Sequence, residues 1–225
     1  MHAIEIPQTV VDRLISRRGR RHVFERIEPA KTALVVVDMQ AGFVQPGAVG
    51  EVPLARAIIP NIRRLAEDTR AAGGTVVWLR HTTGPAGDWS LWLGTFMPPA
   101  VRDTLRTAFT PGHAAHAVDG AFDVRPDDLV VDKTRYSAFV GNSSDLDARL
   151  RARGIDTLII TGTLTNVCCE STARDAMMLN YAVHFVSDAT ATRSDEEHNA
   201  SLTNLMVTFC DIRTTDEVAA LLRAG

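Results

Sequence analysis

The chain has 225 residues, 45% of them hydrophobic and 23% charged, with a net charge of −3 at neutral pH. These proportions suit one domain with a substantial core, and so small a charge offers no electrostatic basis for binding nucleic acid or an anionic membrane surface. No apolar run approaches the roughly 20 residues needed to cross a bilayer, and three cysteines, two of them adjacent, make no disulfide framework.

In chain order, the patterning predicts a helix over 7–17, ending in the basic cluster Arg17, Arg18, Arg20 and Arg21. That cluster reads as a solvated or interface-forming helix end rather than an anion site. The first strand is 32–38, valine-rich and apolar on both faces. A loop with Pro46 and Gly47 follows, then a helix over 54–72 stopped by Gly73–Gly74, and a strand over 75–80. The stretch 81–99 is irregular. A helix over 100–107, a long loop, a strand over 128–132, a helix over 144–153 and a strand over 156–161 come next. A helix over 166–180, a strand over 182–187, a helix over 195–208, a strand over 210–213 and a helix over 215–223 finish the chain. Strands alternating with helices imply a parallel sheet covered on both faces through right-handed crossovers.

Three strand ends carry chemistry. Asp38 closes the first strand, and Lys133 follows the 128–132 strand. Cys168 sits where the 156–161 strand turns into a helix. In open parallel sheets the ligand crevice lies beyond the carboxyl ends of the strands, so a carboxylate, an ammonium and a thiol are delivered to one edge. A helix start favours a thiolate through its free N–H groups and dipole; the competing reading of Cys168 is a small buried hydrophobe. The lysine is informative by rarity, since Lys31 and Lys133 are the only lysines beside 22 arginines. A compact charge with an adjustable pKa fits that choice at Lys133, whereas Lys31 reads as a surface residue. Glu170 and Arg174, four apart, read as a structural ion pair, and Cys169 and Cys210 as core.

VVVDMQ (35–40), DKTRYSAF (132–139) and TGTLTNVCCESTARDA (161–176) resemble the isochorismatase-like cysteine hydrolases over roughly residues 30–212. The resemblance implies an α/β fold of three layers, α/β/α, with a six-stranded, mainly parallel sheet in the order 3-2-1-4-5-6. It divides the chain into a helical extension at 1–30 and a hydrolase domain at 31–225. It implies an Asp38–Lys133–Cys168 triad and a cis peptide between Thr163 and Leu164. The N–H groups of Leu164 and Cys168 would then form an oxyanion hole. It also implies a homodimer or homotetramer.

Cofactors and metals are not expected. The metal-binding branch of that superfamily carries an Asp-x-His motif after the first strand; here 42–56 reads GFVQPGAVGEVPLAR, with no histidine. His81 alone makes no zinc site. Isochorismatases proper lack the cysteine. What remains is metal-independent cleavage of a C–N bond in a small ureido, carbamoyl or carboxamide compound through a thioester, with ureidoacrylate-type or biuret-like substrates both open. Substrate contacts are expected from His81, Trp92, Arg135, Tyr136 and Phe139. His81 reads equally as a histidine satisfied by backbone, and Trp89, Trp92 and Phe96 as a pocket wall or a subunit interface. A non-catalytic small-molecule-binding protein on the same scaffold stays open, because fold does not determine activity. A dinucleotide-dependent oxidoreductase is disfavoured, since no G-x-G-x-x-G follows a strand. The N-terminus lacks the apolar core of a signal peptide, so the cytoplasm, where a thiol stays reduced, is the expected compartment.

Overall fold

The sheet is built around short apolar runs that can be buried only against one another. In the computed structural model, which describes residues 1–83 and 89–225, the strands are β1 (Thr32–Val37), β2 (Thr75–His81), β3 (Leu129–Lys133), β4 (Thr157–Thr163), β5 (Ala182–Ala191) and β6 (Asp211–Arg213). All pairings are parallel, in the order β3-β2-β1-β4-β5-β6. Every residue of β1 and β4 is buried, as a central strand covered on both faces requires.

Alternate side chains feed two cores. Val35, Val37 and Ile160 pack with α1 (Gln8–Arg18), α5 (Leu146–Arg151), α6 (Glu170–Met178) and α7 (Asp195–Thr208). Leu34, Val36 and Ile159 pack with α3 (Ile59–Ala71) and α8 (Thr215–Ala224) on the opposite face. Two further helices, α2 (Ala41–Val44) and α4 (Pro99–Ala108), lie at the carboxyl edge of the sheet. Among the described residues no helix is long and apolar enough to cross a membrane.

Several boundaries differ from the sequence reading. The helix expected over 54–72 begins as a 3-10 turn at Pro53–Ile58, and the α-helix starts at Ile59. Pro60 explains this, because proline is tolerated only in a helix's first turn. The stretch expected to be irregular contains a π-helical turn at Trp92–Phe96; its residues 84–88 lie outside the described residues. β5 runs four residues past its expected end at 187. Ser187 and Asp188 resemble a strand stop, but Ser187 bonds the Arg213 carbonyl and Asp188 accepts from the N–H and hydroxyl of Thr215. The basic end of α1 is occupied too: Arg17 and Arg18 donate to the Val207 carbonyl at 2.6 Å each, at the C-terminus of α7.

Strand order reverses between β1 and β4, the switch point where an open α/β sheet leaves a crevice. The backbones meet very closely there. Gly162 has φ +108°, and a Cβ on it would lie 2.1 Å from the Val37 carbonyl oxygen. Only glycine fits.

Candidate active site

Asp38, Lys133 and Cys168 converge at this switch point. Asp38 follows β1 in the left-handed region, φ +50°, with its N–H bonded to the Leu79 carbonyl at 3.1 Å. The turn swings its side chain across the strand ends. Its Oδ2 accepts from Lys133 Nζ at 2.7 Å, and both side chains are essentially buried. Lys133 Nζ also donates to the Arg135 carbonyl at 3.1 Å. Asp38 Oδ1 has no nitrogen or oxygen partner among the described residues, and Cys168 is close enough to interact with the carboxylate. The thiol belongs to a π-helical turn, Thr165–Cys169, that precedes α6. In this turn the Leu164 carbonyl accepts from Val167 N and Cys169 N at 3.1 Å each, either side of Cys168. The Thr163–Leu164 peptide is cis.

Burial sets the protonation of this cluster. It pushes the Cys168 thiol well above its usual range; the Lys133 ammonium opposes the shift and the Asp38 carboxylate adds to it. A thiolate favoured by a helix start is therefore not the resting state, because desolvation outweighs the few exposed N–H dipoles. Burial also raises Asp38 despite Lys133. For Lys133 burial acts downward, but Asp38 and then Cys168 outweigh it and hold the pKa above its ordinary value. The Asp38–Lys133 contact is thus buried beside a thiol that burial keeps protonated.

Cys168 opens into a cavity of about 250 Å3. Of the residues expected to touch substrate, His81, Trp92 and Tyr136 line it, as does Leu164. Phe139 and Arg135 do not. Phe139 packs on Tyr181, ring centroids 5.6 Å apart. Arg135 donates to the Thr134 carbonyl at 2.8 Å and lies over the Trp89 ring at 5.2 Å. Both belong to the 134–144 turn, which Ser143 ties to the Ser137 carbonyl. Trp89 forms a second tier, stacked on Trp92 and edge-on to Tyr136, at 4.7 Å in both cases, while Phe96 is 69% exposed.

His81 is neutral. Burial, reinforced by Lys133 and His116, pushes its pKa down to about 3, and its ring sits among Phe43, Trp92 and Phe109. Its backbone is satisfied by the Gln40 side chain, which accepts from His81 N at 2.7 Å and donates to His81 O at 3.0 Å. His81 Nδ1 has no partner among the described residues.

Sequence reasoning missed Phe43, Leu105, Phe109 and Arg193, all of which line the cavity. Arg193 stands just past the end of β5, the same strand-end position as the triad residues, which a strand ending at 187 does not reveal. The aromatic walls come from α2 and the end of α4, where no local pattern marks a binding role. Among the described residues no three His, Cys, Asp or Glu side chains gather as metal ligands. Cys169 and Cys210 are buried, Cys169 with its thiol 3.8 Å from the Thr161 carbonyl. Glu170 and Arg174 pair at 2.7 Å on α6.

Residues 32–217 match the isochorismatase domain model. A ureidoacrylate amidohydrolase from Methylobacterium radiotolerans is 35% identical, over 81% of this chain and 76% of that protein. A probable inactive nicotinamidase from Arabidopsis thaliana is 33% identical, over 77% of this chain and 87% of that protein. The crystal structure of a cysteine hydrolase from Pseudomonas syringae superposes with a TM-score of 0.77 at 34% identity, covering 91% of this chain and 98% of that one.

Proposed function

The chain belongs to the isochorismatase family, and on that premise we propose that it is a cysteine amidohydrolase, cleaving a C–N bond of a small ureido, carbamoyl or carboxamide compound. One observation carries the reading: a buried Asp38–Lys133 pair, 2.7 Å apart, lies beside a thiol that lines a largely apolar cavity.

The resting charges define the steps. As Cys168 Sγ attacks the carbonyl carbon, its proton passes to Asp38, so the thiolate exists only when it is bonding. Lys133 stays cationic and limits the cost of negative charge in this buried cluster. The N–H groups of Leu164 and Cys168 receive the developing oxyanion, each worth about 3 kcal/mol in a site of this kind. Hydrogen bonding of the Leu164 carbonyl to Val167 and Cys169, rather than to Cys168, supports that assignment. Protonated Asp38 then gives its proton to the leaving nitrogen, and a thioester remains. Asp38 next takes a proton from water as the water oxygen attacks the thioester carbonyl. The second tetrahedral intermediate collapses, the acid leaves, and the proton returns to sulfur. Ammonia or carbamate is released according to which C–N bond is cut.

The cavity sets the substrate class. At about 250 Å3 it falls below the roughly 300–1,000 Å3 of sites for drug-sized ligands. Phe43, Trp92, Phe109 and Tyr136 suit a flat or apolar body, and Arg193 is the one cationic side chain among the described lining residues. A carboxylate at the far end of the substrate matches it. The similarity to a ureidoacrylate amidohydrolase supports a ureido acid as the first candidate. A homodimer or homotetramer in a reducing compartment completes the proposal; Leu91 and Phe96, 65% and 69% exposed beside the cavity, support the association.

The similarity to a probable inactive enzyme gives the non-catalytic reading its own support, and one experiment separates the two. Ammonia release is screened over ureido acids, carbamoylated acids and simple amides, with and without chelator, for the wild type, Cys168→Ala and Cys168→Ser. Turnover in the wild type alone, indifferent to chelator, is expected, with both variants folded and inactive. Ammonia release persisting in both variants overturns the nucleophile, and silence of the wild type across the panel favours the binding protein.

A further inference from the structure

The amino-terminal segment reaches the turn that carries Cys168. His2 is buried, its side chain only 1% exposed, against the start of α7. Its Nδ1 donates to Asp195 Oδ1 at 2.7 Å, and its Nε2 accepts the Thr192 N–H at 3.0 Å. The second bond fixes the tautomer, since Nε2 must then be unprotonated. The ring stacks on His198, with centroids 4.2 Å apart and planes 12° from parallel. Ala3 and Glu5 extend the attachment: Asn199 Nδ2 donates to the Ala3 carbonyl at 2.9 Å, and Asn199 Oδ1 accepts from Glu5 N at 2.8 Å.

Two routes lead from His2 to the π-helical turn. His198 Nδ1 meets the Thr165 hydroxyl at 2.9 Å, and Thr165 is the first residue of the turn. Thr192, held through its N–H by His2, donates its hydroxyl to Asn166 Oδ1 at 2.7 Å. One imidazole therefore governs both residues that open the turn, through groups that are buried or nearly so. A π-type turn is wider and less well bonded than an α-turn, so it depends on such outside contacts to keep its shape.

We propose that His2 is a positioning residue, and that residues 2–5 form a strap holding the Cys168 turn in its reactive geometry. This rests on the amidohydrolase reading above, in which an error of about 1 Å at the nucleophile can cost a hundredfold in rate. His2 itself touches no reacting atom. It acts through His198–Thr165 and through Thr192–Asn166.

The test compares the wild type with His2→Ala by hydrogen exchange and by ammonia release. The expected result is faster exchange confined to the peptide spanning 164–170, with the central strands β1 and β4 unchanged, and a fall in kcat/KM of about tenfold or more. Unchanged exchange at 164–170 overturns the strap, as does faster exchange spread evenly over the sheet. Local loosening with wild-type turnover overturns the positioning role. Should His2→Ala unfold at the assay temperature, Asp195→Ala decides by the same two readouts, because it removes the acceptor of the His2 Nδ1 bond from a half-exposed position. A wild type inert to every substrate sinks the amidohydrolase reading instead, and the exchange data still judge the strap.

Discussion

Asp38 is asked to do two incompatible-looking things, adopt a left-handed backbone and carry a buried charge. Aspartate and asparagine tolerate φ near +50° better than other non-glycine residues because their short polar side chains bond locally. Asp38→Asn therefore keeps the turn and still offers Lys133 an acceptor, while removing the base. It should fold and lose a hundredfold to ten-thousandfold in kcat, roughly the range for general acid–base catalysis. Asp38→Ala adds the left-handed penalty of about 1 kcal/mol and strands a buried ammonium, a loss of about 3–5 kcal/mol. It should melt well below the asparagine variant. Turnover measurements and thermal melts on the two variants check this; near-native turnover in Asp38→Asn, or equal melting of both, would falsify the assignment.

At the scale of elements, the site exists because β1 and β4 lie closer together than a side chain at Gly162 would permit. Gly162→Ala places a methyl into the Val37 backbone in a left-handed region. The strands must separate, and with them Asp38 from the Cys168 turn. We expect destabilisation of about 3 kcal/mol or more, together with loss of activity. Gly73 also has positive φ, +85°, but nothing lies within 4 Å of its added Cβ. Gly73→Ala should cost only about 1 kcal/mol of backbone strain and leave turnover intact. Denaturant unfolding of the pair separates strand contact from conformational strain, and similar losses in both would remove the contact argument.

The whole molecule responds to pH through histidines that sit in the core rather than through the triad. Burial is the leading cause that holds His81 and His184 at about 3 and His198 at about 4. The unfolded chain protonates the same imidazoles near pH ~6.5. Between those values the unfolded state binds more protons, so stability must fall as pH drops from about 6.5 toward 4. Each imidazole contributes roughly 1.4 kcal/mol per pH unit over that interval. Calorimetric melting should show a steep decline between about pH 6.5 and 5, and a flat melting temperature there would show that these rings are not held neutral. Because His81 is already neutral well above its pKa of about 3, it should add no limb to the activity profile near neutrality.

The amino-acid order alone determined the alternation of strands with the longer helices and which reactive groups stand at the strand ends. Asp38, Lys133 and Cys168 were legible because each follows an apolar run too short for a helix, and the carboxyl edge of a parallel sheet is where such residues meet. The tertiary structure alone decided how those groups behave. Cys168 is a thiol at rest, Phe139 turns away from the cavity, Arg193 faces it, and His2 comes to lie next to Thr192. Local patterns record backbone preference over a few residues, whereas desolvation and side-chain contact are fixed by partners far along the chain. For His2 and Thr192 that separation is 190 residues, a distance over which no periodicity carries information.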